Sequence, residues 1–290
     1  MSGFSDDAAA AAERNPRPQP APAVAPCADA HLALRGIAHT YPARGRQGAV
    51  HALGPLDLAF SRGEFVAVVG PSGCGKSTLL EIIAGLVKPT AGTVELDGRE
   101  ITGTVAAEIG VVFQEDATFA WLNVWDNVAF GLRRAGCERA EVVRRVDHAI
   151  AFMGLGEFRR AYPAQLSGGM RQRVCIARTL VLRPRLILLD EPFGALDQQT
   201  RLLMGEELLR LWRETAATVM LITHALDEAA LLSDRVAVMS ARPGRLIEVV
   251  STHWPRDRDT KLVADPAFGA LTGRLWTLLR EESRKALGGP

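Results

Sequence analysis

The residues best suited to chemistry form one glycine-rich run, residues 70–78, which matches the pattern GxxxxGK[ST]. Glycines let the backbone curl so that successive N–H groups point at phosphate oxygens, and a following helix adds its positive end. A lysine supplies charge to the β- and γ-phosphates, and the adjoining serine hydroxyl can ligate Mg²⁺. An apolar strand pattern precedes the run and a helical pattern follows it, so we predict a nucleotide phosphate site. The run comprises Gly70, Pro71, Ser72, Gly73, Cys74, Gly75, Lys76, Ser77 and Thr78.

An acidic pair follows the apolar segment at residues 186–189. We expect this segment to be a strand beside the strand that precedes the glycine-rich run. Asp190 would then reach Mg²⁺ through water, and Glu191 could hold a water for in-line attack on the γ-phosphate. The pair is weak evidence alone, but it gains weight from the phosphate site upstream.

The run Leu166-Ser167-Gly168-Gly169 precedes a second helical pattern. A hydroxyl, two unhindered backbone N–H groups and a helix N-terminus make a second anion site. One nucleotide does not need two such helix ends from one chain. We therefore predict a two-fold dimer in which this run closes on the nucleotide held by the partner's glycine-rich run.

These motifs, with residues 190–197 and His224 after the next strand, resemble the ATP-binding subunits of ABC transporters over about residues 33–250. The resemblance implies catalytic roles for Glu191, His224 and Gln114. It implies that Ser77, Gln114 and Asp190 hold Mg²⁺. It also implies that Tyr41 stacks on adenine, that Leu166, Ser167, Gly168, Gly169 and Gln172 form a signature facing the partner's nucleotide, and that Ala195, Leu196 and Asp197 couple the two sites.

The fold class implied is α/β: a P-loop NTPase with a RecA-like core, an N-terminal antiparallel β subdomain and a helical signature subdomain. Residues 1–30 are rich in alanine and proline and predict a disordered tail. The ATPase domain should span 31–250, with the helical subdomain at about 115–170. A C-terminal helical extension, 251–290, should include an amphipathic helix over Pro266–Ala286.

Individual elements follow from apolar periodicity and from turn residues. We predict strands at 32–37, 65–69, 93–96, 111–113, 186–189, 219–223, 236–239 and 246–249, and helices at 78–86, 138–160 and 199–214.

Several segments are similar to the ATPases of bacterial nitrate, sulfonate and taurine importers, among them residues 113–116, 121–132 and 242–245. This resemblance implies a homodimer that hydrolyses ATP with Mg²⁺ on the cytoplasmic face of the inner membrane. Partners would be integral membrane permease subunits and, indirectly, a solute-binding protein; the cargo would be a small anionic solute. The family's permease groove would involve the region of Phe119, Trp121, Leu122 and Trp125. Residues 118–121 lack the proline common in relatives, which predicts a looser turn after Gln114.

Composition limits the alternatives. The chain has 290 residues with 34 Lys and Arg against 33 Asp and Glu, so it lacks the basic excess typical of nucleic-acid proteins. Four cysteines without a CxxC pair favour reduced thiols in a cytosolic protein. Because Cys74 lies within the phosphate run, alkylating its thiol should inhibit the protein, and ATP should protect it.

Other classes of P-loop protein fit the sequence less well. A GTPase would need an NKxD-type guanine motif, which is absent, and a kinase has no use for Ser167-Gly168-Gly169. Non-transport ABC proteins of translation carry two cassettes, and those of DNA repair carry long coiled-coil or zinc insertions. The segment between Lys76 and Asp190 is too short for a long coiled coil.

Overall fold

The computed structural model describes residues 30–43, 48–115, 117–194 and 196–286. The tail predicted at 1–30 lies outside these residues except for Ala30, and so does Ala195. The strands are β1 Leu32–Tyr41, β2 Val50–Phe60, β3 Phe65–Val69, β4 Ala91–Leu96, β5 Arg99–Glu100, β6 Ile109–Val112, β7 Leu186–Asp190, β8 Thr218–Ile222, β9 Arg235–Met239 and β10 Leu246–Ser251. The α-helices are α1 Lys76–Ile83, α2 Val124–Arg134, α3 Arg139–Phe152, α4 Gly168–Leu180, α5 Gln198–Thr215, α6 Leu226–Leu232 and α7 Pro266–Ala286. Short 3₁₀ helices span Gly156–Phe158, Pro163–Gln165 and Thr260–Ala264.

Two sheets form the body of the described chain. An antiparallel sheet has the order β2-β1-β4-β5, and a larger sheet has the order β10-β9-β3-β8-β7-β6, with β10 antiparallel to β9 and the remaining pairs parallel. Every residue of β3, β7 and β8 is buried, as expected for parallel strands covered on both faces. The α/β class and the N-terminal antiparallel sheet are confirmed.

One predicted neighbour is wrong. We expected β7 to lie beside β3, but β8 lies between them, because β3 uses its two edges to pair with β8 and β9. The acidic pair still reaches the phosphate run because both β3 and β7 end at the same edge of the sheet, and α1, which follows β3, contacts β7.

The helical region consists of α2, α3 and α4, which pack on one another. The structure does not show a loosened turn before α2. The buried Asn127 side chain accepts a hydrogen bond from the Phe119 backbone at 2.8 Å and donates to the carbonyls of Phe119, Leu122 and Asn123. These bonds fix the turn that lacks proline.

The C-terminal segment packs on the same apolar core as the large sheet. Helix α7 has the bounds predicted from sequence, and it buries Phe268, Leu275 and Leu279. Arg258 is buried and bonds to Asp234 and to the Leu232 carbonyl. Within the described ranges, no helix combines the length and apolarity needed to cross a bilayer.

Candidate functional site

The glycine-rich run forms a tight loop between β3 and α1. Gly73 and Gly75 adopt left-handed backbone angles, with φ of 72° and 106°. A Cβ at Gly75 would lie 2.7 Å from Leu53 Cδ2 and 2.8 Å from the Ala52 carbonyl oxygen. Glycine is therefore required at this position by both the backbone and the space available.

Lys76 is the first residue of α1 and is largely buried. Its Nζ donates to the carbonyl oxygens of Gly70 at 2.8 Å and Pro71 at 3.1 Å. The ammonium group is thus held inside the curl of the loop, where phosphate oxygens can take over from these carbonyls.

Asp190, the last residue of β7, points at the start of α1. Burial raises the pKa of the Asp190 carboxyl, and a hydrogen bond from Ser77 and the charge of Lys76 offset this only in part. Its Oδ1 is buried and has no hydrogen-bond partner. A buried carboxylate oxygen left unpaired beside a serine hydroxyl is suited to a divalent cation. No group of three or more His, Cys, Asp or Glu among the described residues could hold a metal. A cation here would depend on Ser77 and Asp190, on phosphate oxygens, and on Gln114, the third predicted magnesium ligand, which lines the same cavity as Ser77.

Cys74 lies behind the loop, not in its mouth. The side chain is 1% exposed, and burial raises the pKa of its thiol. A reactive thiolate requires the opposite environment. The inhibition by alkylation predicted from the sequence is therefore not expected for the folded chain.

Three predicted catalytic side chains meet at Glu191. Gln114 Nε2 donates to Glu191 Oε2 at 3.3 Å, and His224 Nδ1 lies 3.2 Å from the same oxygen. The backbone of Glu191 has a φ of 45°, and its N–H donates to the Ile222 carbonyl at 2.9 Å. The carboxylate is therefore held at the carboxyl edge of the sheet, between a side chain that follows β6 and one that follows β8.

A buried pair next to His224 was not predicted from the sequence. Thr223 Oγ1 donates to Glu228 Oε2 at 2.5 Å and accepts from the Ala225 backbone at 3.0 Å. Burial raises the pKa of Glu228 to about 7. This pair fixes the turn that carries His224. An acid in the first turn of a helix gives no sequence signal that distinguishes it from an ordinary exposed one.

A cavity of about 600 Å³ joins these groups. Tyr41 forms one wall, and its hydroxyl lies 3.2 Å from Thr78 Oγ1. The other lining residues are Val50, Ala52, Ser72, Gly73, Gly75, Lys76, Ser77, Gln114, Glu191, His224 and Arg242. Val50, Ala52 and Arg242 were not predicted, since their place in the wall depends on how β2 and the turn after β9 approach the loop.

The predicted signature lies outside this cavity. Ser167 is exposed and caps α4, its Oγ accepting from the Met170 backbone at 3.3 Å. A Cβ at Gly169 would lie 2.4 Å from Leu196 Cδ2. Leu166 and Gln172, also predicted to face the partner's nucleotide, are instead buried, and Gln172 donates to the Phe113 carbonyl within this chain. Their side chains cannot face a partner in this conformation.

The predicted coupling residues lie just before α5. Leu196 packs partly against the core, and Asp197 caps α5 by accepting from the Thr200 backbone at 3.0 Å. The hydrogen bonds from Thr200 lower the pKa of the Asp197 carboxyl. Ala195, the third member, lies outside the described residues.

Known proteins of one kind resemble this chain. A family model described as ABC transporter matches residues 53–194. The nitrate import ATP-binding protein NrtD of Synechocystis is 43% identical over 81% of this chain and 91% of its own length. The taurine import ATP-binding protein TauB of Pseudomonas aeruginosa is 44% identical over 83% and 92%. The dimeric ATP-binding cassette MJ0796 bound to ADP and Pi superposes with a TM-score of 0.69, at 32% identity, over 77% of this chain and all of that one.

Proposed function

This chain belongs to the ATP-binding proteins of the ABC transporter family, and on that premise we propose that it hydrolyses Mg·ATP as a homodimer and thereby powers import of a small anionic solute through separate permease subunits. The observation that carries the proposal is the cavity at the phosphate loop, in which Lys76 and the shared Glu191 carboxylate face one space. The exposed helix N-terminus at Ser167 lies outside it.

The proposed chemistry assigns each side chain a task. Lys76 exchanges its two loop carbonyls for phosphate oxygens. Ser77, Gln114 and Asp190 would hold Mg²⁺, which would neutralise charge that develops on the phosphates. Glu191 accepts a hydrogen bond from the attacking water and takes its proton.

Gln114 and His224 position that step. Both contact Glu191 Oε2, so they hold the carboxylate where water can reach it from the cavity. Tyr41 stands at the wall where an adenine ring could stack, and its hydroxyl bond to Thr78 fixes it relative to the loop.

Dimer formation would complete the site. Ser167, Gly168 and Gly169 offer a hydroxyl and the N-terminus of α4, a helix of 13 residues, to the γ-phosphate of the partner's nucleotide. Leu196 lies so close to Gly169 that a Cβ there would clash with it. Through Leu196, closure of the contact with the partner's nucleotide would be transmitted to Asp197 and α5.

We also propose where the permease docks. A cavity of about 330 Å³ lies between β6, α2 and α4, and its lining includes Phe113, Phe119, Phe130, Arg178 and Leu182. Arg178 lies over the Phe119 ring at 4.7 Å, and the neighbouring Trp121 is 72% exposed. Apolar rings around a concave site suit the insertion of a short helix. Of the residues that the sequence indicated for this groove, Phe119 lines the cavity, whereas Trp121, Leu122 and Trp125 do not. The Trp125 Nε1 donates to Asp147 at 2.8 Å.

The relatives that import nitrate and taurine favour a small anion as the solute. A solute-binding protein would deliver it, and the subunit would work on the cytoplasmic face of the inner membrane. We retain the proposed organisation as an ATPase domain at 31–250 with a helical subdomain at about 115–170 and a C-terminal extension from 251.

The test combines hydrolysis with capture of the partner. The purified chain should release phosphate from ATP only with Mg²⁺, and Lys76→Ala should lower that rate at least about 100-fold because the phosphates lose their buried cation. Permease subunits should co-purify with the wild-type chain. Hydrolysis that survives Lys76→Ala, or wild-type protein that never associates with an integral membrane protein, would sink the proposal.

A further inference from the structure

The turn after β9, residues 240–245, lies against the phosphate loop. Gly244 donates its N–H to the Ala52 carbonyl at 2.9 Å and accepts from the Gly54 N–H at 3.1 Å. A Cβ at Gly244 would lie 2.1 Å from the Cys74 carbonyl oxygen. The turn is thus held between β2 and the loop at backbone contact.

This contact brings one cation to the mouth of the nucleotide cavity. Arg242 Nε donates to the Gly73 carbonyl at 3.0 Å, and Arg242 lines the cavity. Its Nη2 lies 3.1 Å from where a Cβ of Gly73 would stand. In the portion of the chain that the structure describes, no carboxylate forms an ion pair with Arg242, so the two Nη groups remain available to an anion.

The C-terminal helix fixes this turn from the other side. Glu282 of α7 accepts a hydrogen bond from the Ala241 N–H at 2.8 Å and pairs with Lys285. Its side chain is 13% exposed. Burial alone would raise the pKa of Glu282, but the bonds from Lys285 and Ala241 outweigh it and lower the pKa. Glu282 is therefore an ionised acceptor, and the N–H that it binds belongs to Ala241, the residue just before Arg242.

We propose that Arg242 is a second cation for the phosphates of the bound nucleotide, beside Lys76, and that Glu282 is a positioning residue that holds it through Ala241. The inference rests on the nucleotide site of the proposed function and adds a residue and an element to it. Arginine suits the task because Nε can remain on the Gly73 carbonyl while the Nη pair binds an oxygen anion. The C-terminal helix thereby becomes part of the nucleotide site, although it contributes no lining residue.

The first test measures equilibrium affinity for Mg·ATP, Mg·ADP and adenosine. Arg242→Gln should weaken Mg·ATP binding about tenfold, because a hydrogen bond to a charged group is lost, and should leave adenosine binding unchanged. The Mg·ATP affinity of Arg242→Lys should lie between those of the wild type and Arg242→Gln, since lysine keeps the charge but loses the two-pronged guanidinium geometry. Arg245→Gln is the matched control: it removes the same charge from the same turn, and Arg245 does not line the cavity.

The second test separates positioning from folding. Glu282→Ala should raise KM for ATP at least about threefold with kcat unchanged, whereas Glu282→Gln keeps an acceptor for the Ala241 N–H and should restore wild-type KM. Adding Glu282→Ala to Arg242→Gln should cause no further loss, because the two act through one contact. Glu281→Gln, one residue earlier on α7, should behave as wild type.

The outcomes distinguish this inference from the proposed function. Lys76→Ala must abolish Mg·ATP binding for the nucleotide site itself to stand. If it does, and Arg242→Gln still binds Mg·ATP as tightly as Arg245→Gln, the inference about Arg242 is wrong. If Arg242→Gln weakens binding, but adding Glu282→Ala raises KM further and lowers kcat, Glu282 supports the fold and does not position Arg242.

Discussion

The predicted catalytic side chains of this chain meet at the Glu191 carboxylate. This carboxylate is shared by Gln114 and His224, and the Glu191 backbone φ of 45° lies in a region that non-glycine residues seldom occupy. Such a conformation costs of order 1–3 kcal/mol and persists only where surrounding bonds impose it. Here the bond from the Glu191 N–H to the Ile222 carbonyl and the turn to Gly194 impose it. In this conformation Glu191 lines the cavity.

Glu191→Gln should separate binding from hydrolysis. The amide keeps the size of the side chain but cannot take a proton from water, so kcat should fall by about 10²–10⁴ while affinity for Mg·ATP persists. Steady-state phosphate release and equilibrium binding measure the two effects. Glu214→Gln, on the exposed surface of α5, is the control and should change neither. Normal turnover by Glu191→Gln would remove this residue from its proposed role.

The sequence predicted site residues where a motif fixes both type and spacing. Lys76, Asp190, Glu191 and His224 lie where the pattern puts them, because each lies at or after the end of a strand that the sequence marks. The sequence indicated Arg242 only as part of a turn. Its place at the nucleotide cavity depends on a contact with Gly73, which lies 169 residues away along the chain. Leu166 and Gln172 were misplaced for the complementary reason: a motif does not tell which of its side chains face inward.

At the scale of elements, α6 shows how a buried acid can support a functional turn. Glu228 lies in the first turn of α6, is almost fully buried and holds Thr223 just before His224. Burial dominates and raises the pKa of Glu228 to about 7, although the hydrogen bond from Thr223 and the nearby Arg201 and His224 favour its ionised form. The folded chain therefore retains a proton here that an exposed glutamate releases.

Stability should consequently fall as pH rises. Between the usual pKa of 4.5 and about 7 the folded chain binds more protons than the unfolded chain, so the free energy of unfolding decreases across this window. The decrease is up to about 3 kcal/mol. Glu228→Gln should remove it, so that this variant melts at a higher temperature than wild type at pH 8 and at a similar temperature at pH 5. Thermal melts across this range measure the effect.

Glu214→Gln serves again as the control, because it removes an exposed carboxylate from α5. Its melting curve should follow that of the wild type at each pH. A Glu228→Gln variant that keeps the wild-type loss of stability between pH 5 and 8 would show that other groups cause it.

The turn before α2 illustrates what the sequence could not settle about elements. The absence of a proline in residues 118–121 predicted a loose turn, yet the Asn127 side chain forms hydrogen bonds with the backbone of Phe119, Leu122 and Asn123. Strand β2 was missed because Gly54, Pro55 and Asp57 interrupt its apolar alternation. Pairing with β1 over its length imposes the strand all the same, and tertiary contacts of this kind leave little trace in local periodicity.

Trp121 should matter for the permease and not for nucleotide chemistry. It is 72% exposed, and its ring centroid lies 5.4 Å from that of Phe119. Trp121→Ala should weaken permease association at least about tenfold, as loss of an aromatic anchor does, and leave Mg·ATP hydrolysis by the isolated chain intact. Trp276→Ala removes another exposed tryptophan, on α7, and should leave association unchanged. Equal permease affinity for both variants would place the docking surface elsewhere.

For the whole molecule, the position of the signature has the widest consequence. Ser167 is exposed at the start of α4, whereas the phosphate loop of the same chain lines a cavity to which the signature does not contribute. If the start of α4 binds a nucleotide as proposed, a single chain holds two unlike halves of a nucleotide site that face different spaces. Two copies related by a two-fold axis would pair each loop with the other chain's signature, which makes two complete sites.

Mixing two defective variants tests this pairing. Each carries Glu191→Gln to keep ATP from being consumed; one adds Lys76→Ala and the other Ser167→Arg. Neither alone has a complete composite site, so ATP should not drive either to dimerise. In a mixed dimer, the intact Lys76 of one chain meets the intact Ser167 of its partner, so one site is complete. ATP-dependent dimers measured by light scattering should appear only in the mixture.

The control mixture pairs the Lys76→Ala chain with a chain carrying both Lys76→Ala and Ser167→Arg. Every nucleotide site then lacks its lysine, so no dimers should form with ATP. If the first mixture also stays monomeric while the Glu191→Gln chain alone dimerises, the two halves do not meet across a two-fold axis. If Ser167→Arg with Glu191→Gln dimerises by itself, the start of α4 does not face the partner's nucleotide. Dimers in the first mixture alone would mean that closing around ATP requires both halves, one from each chain.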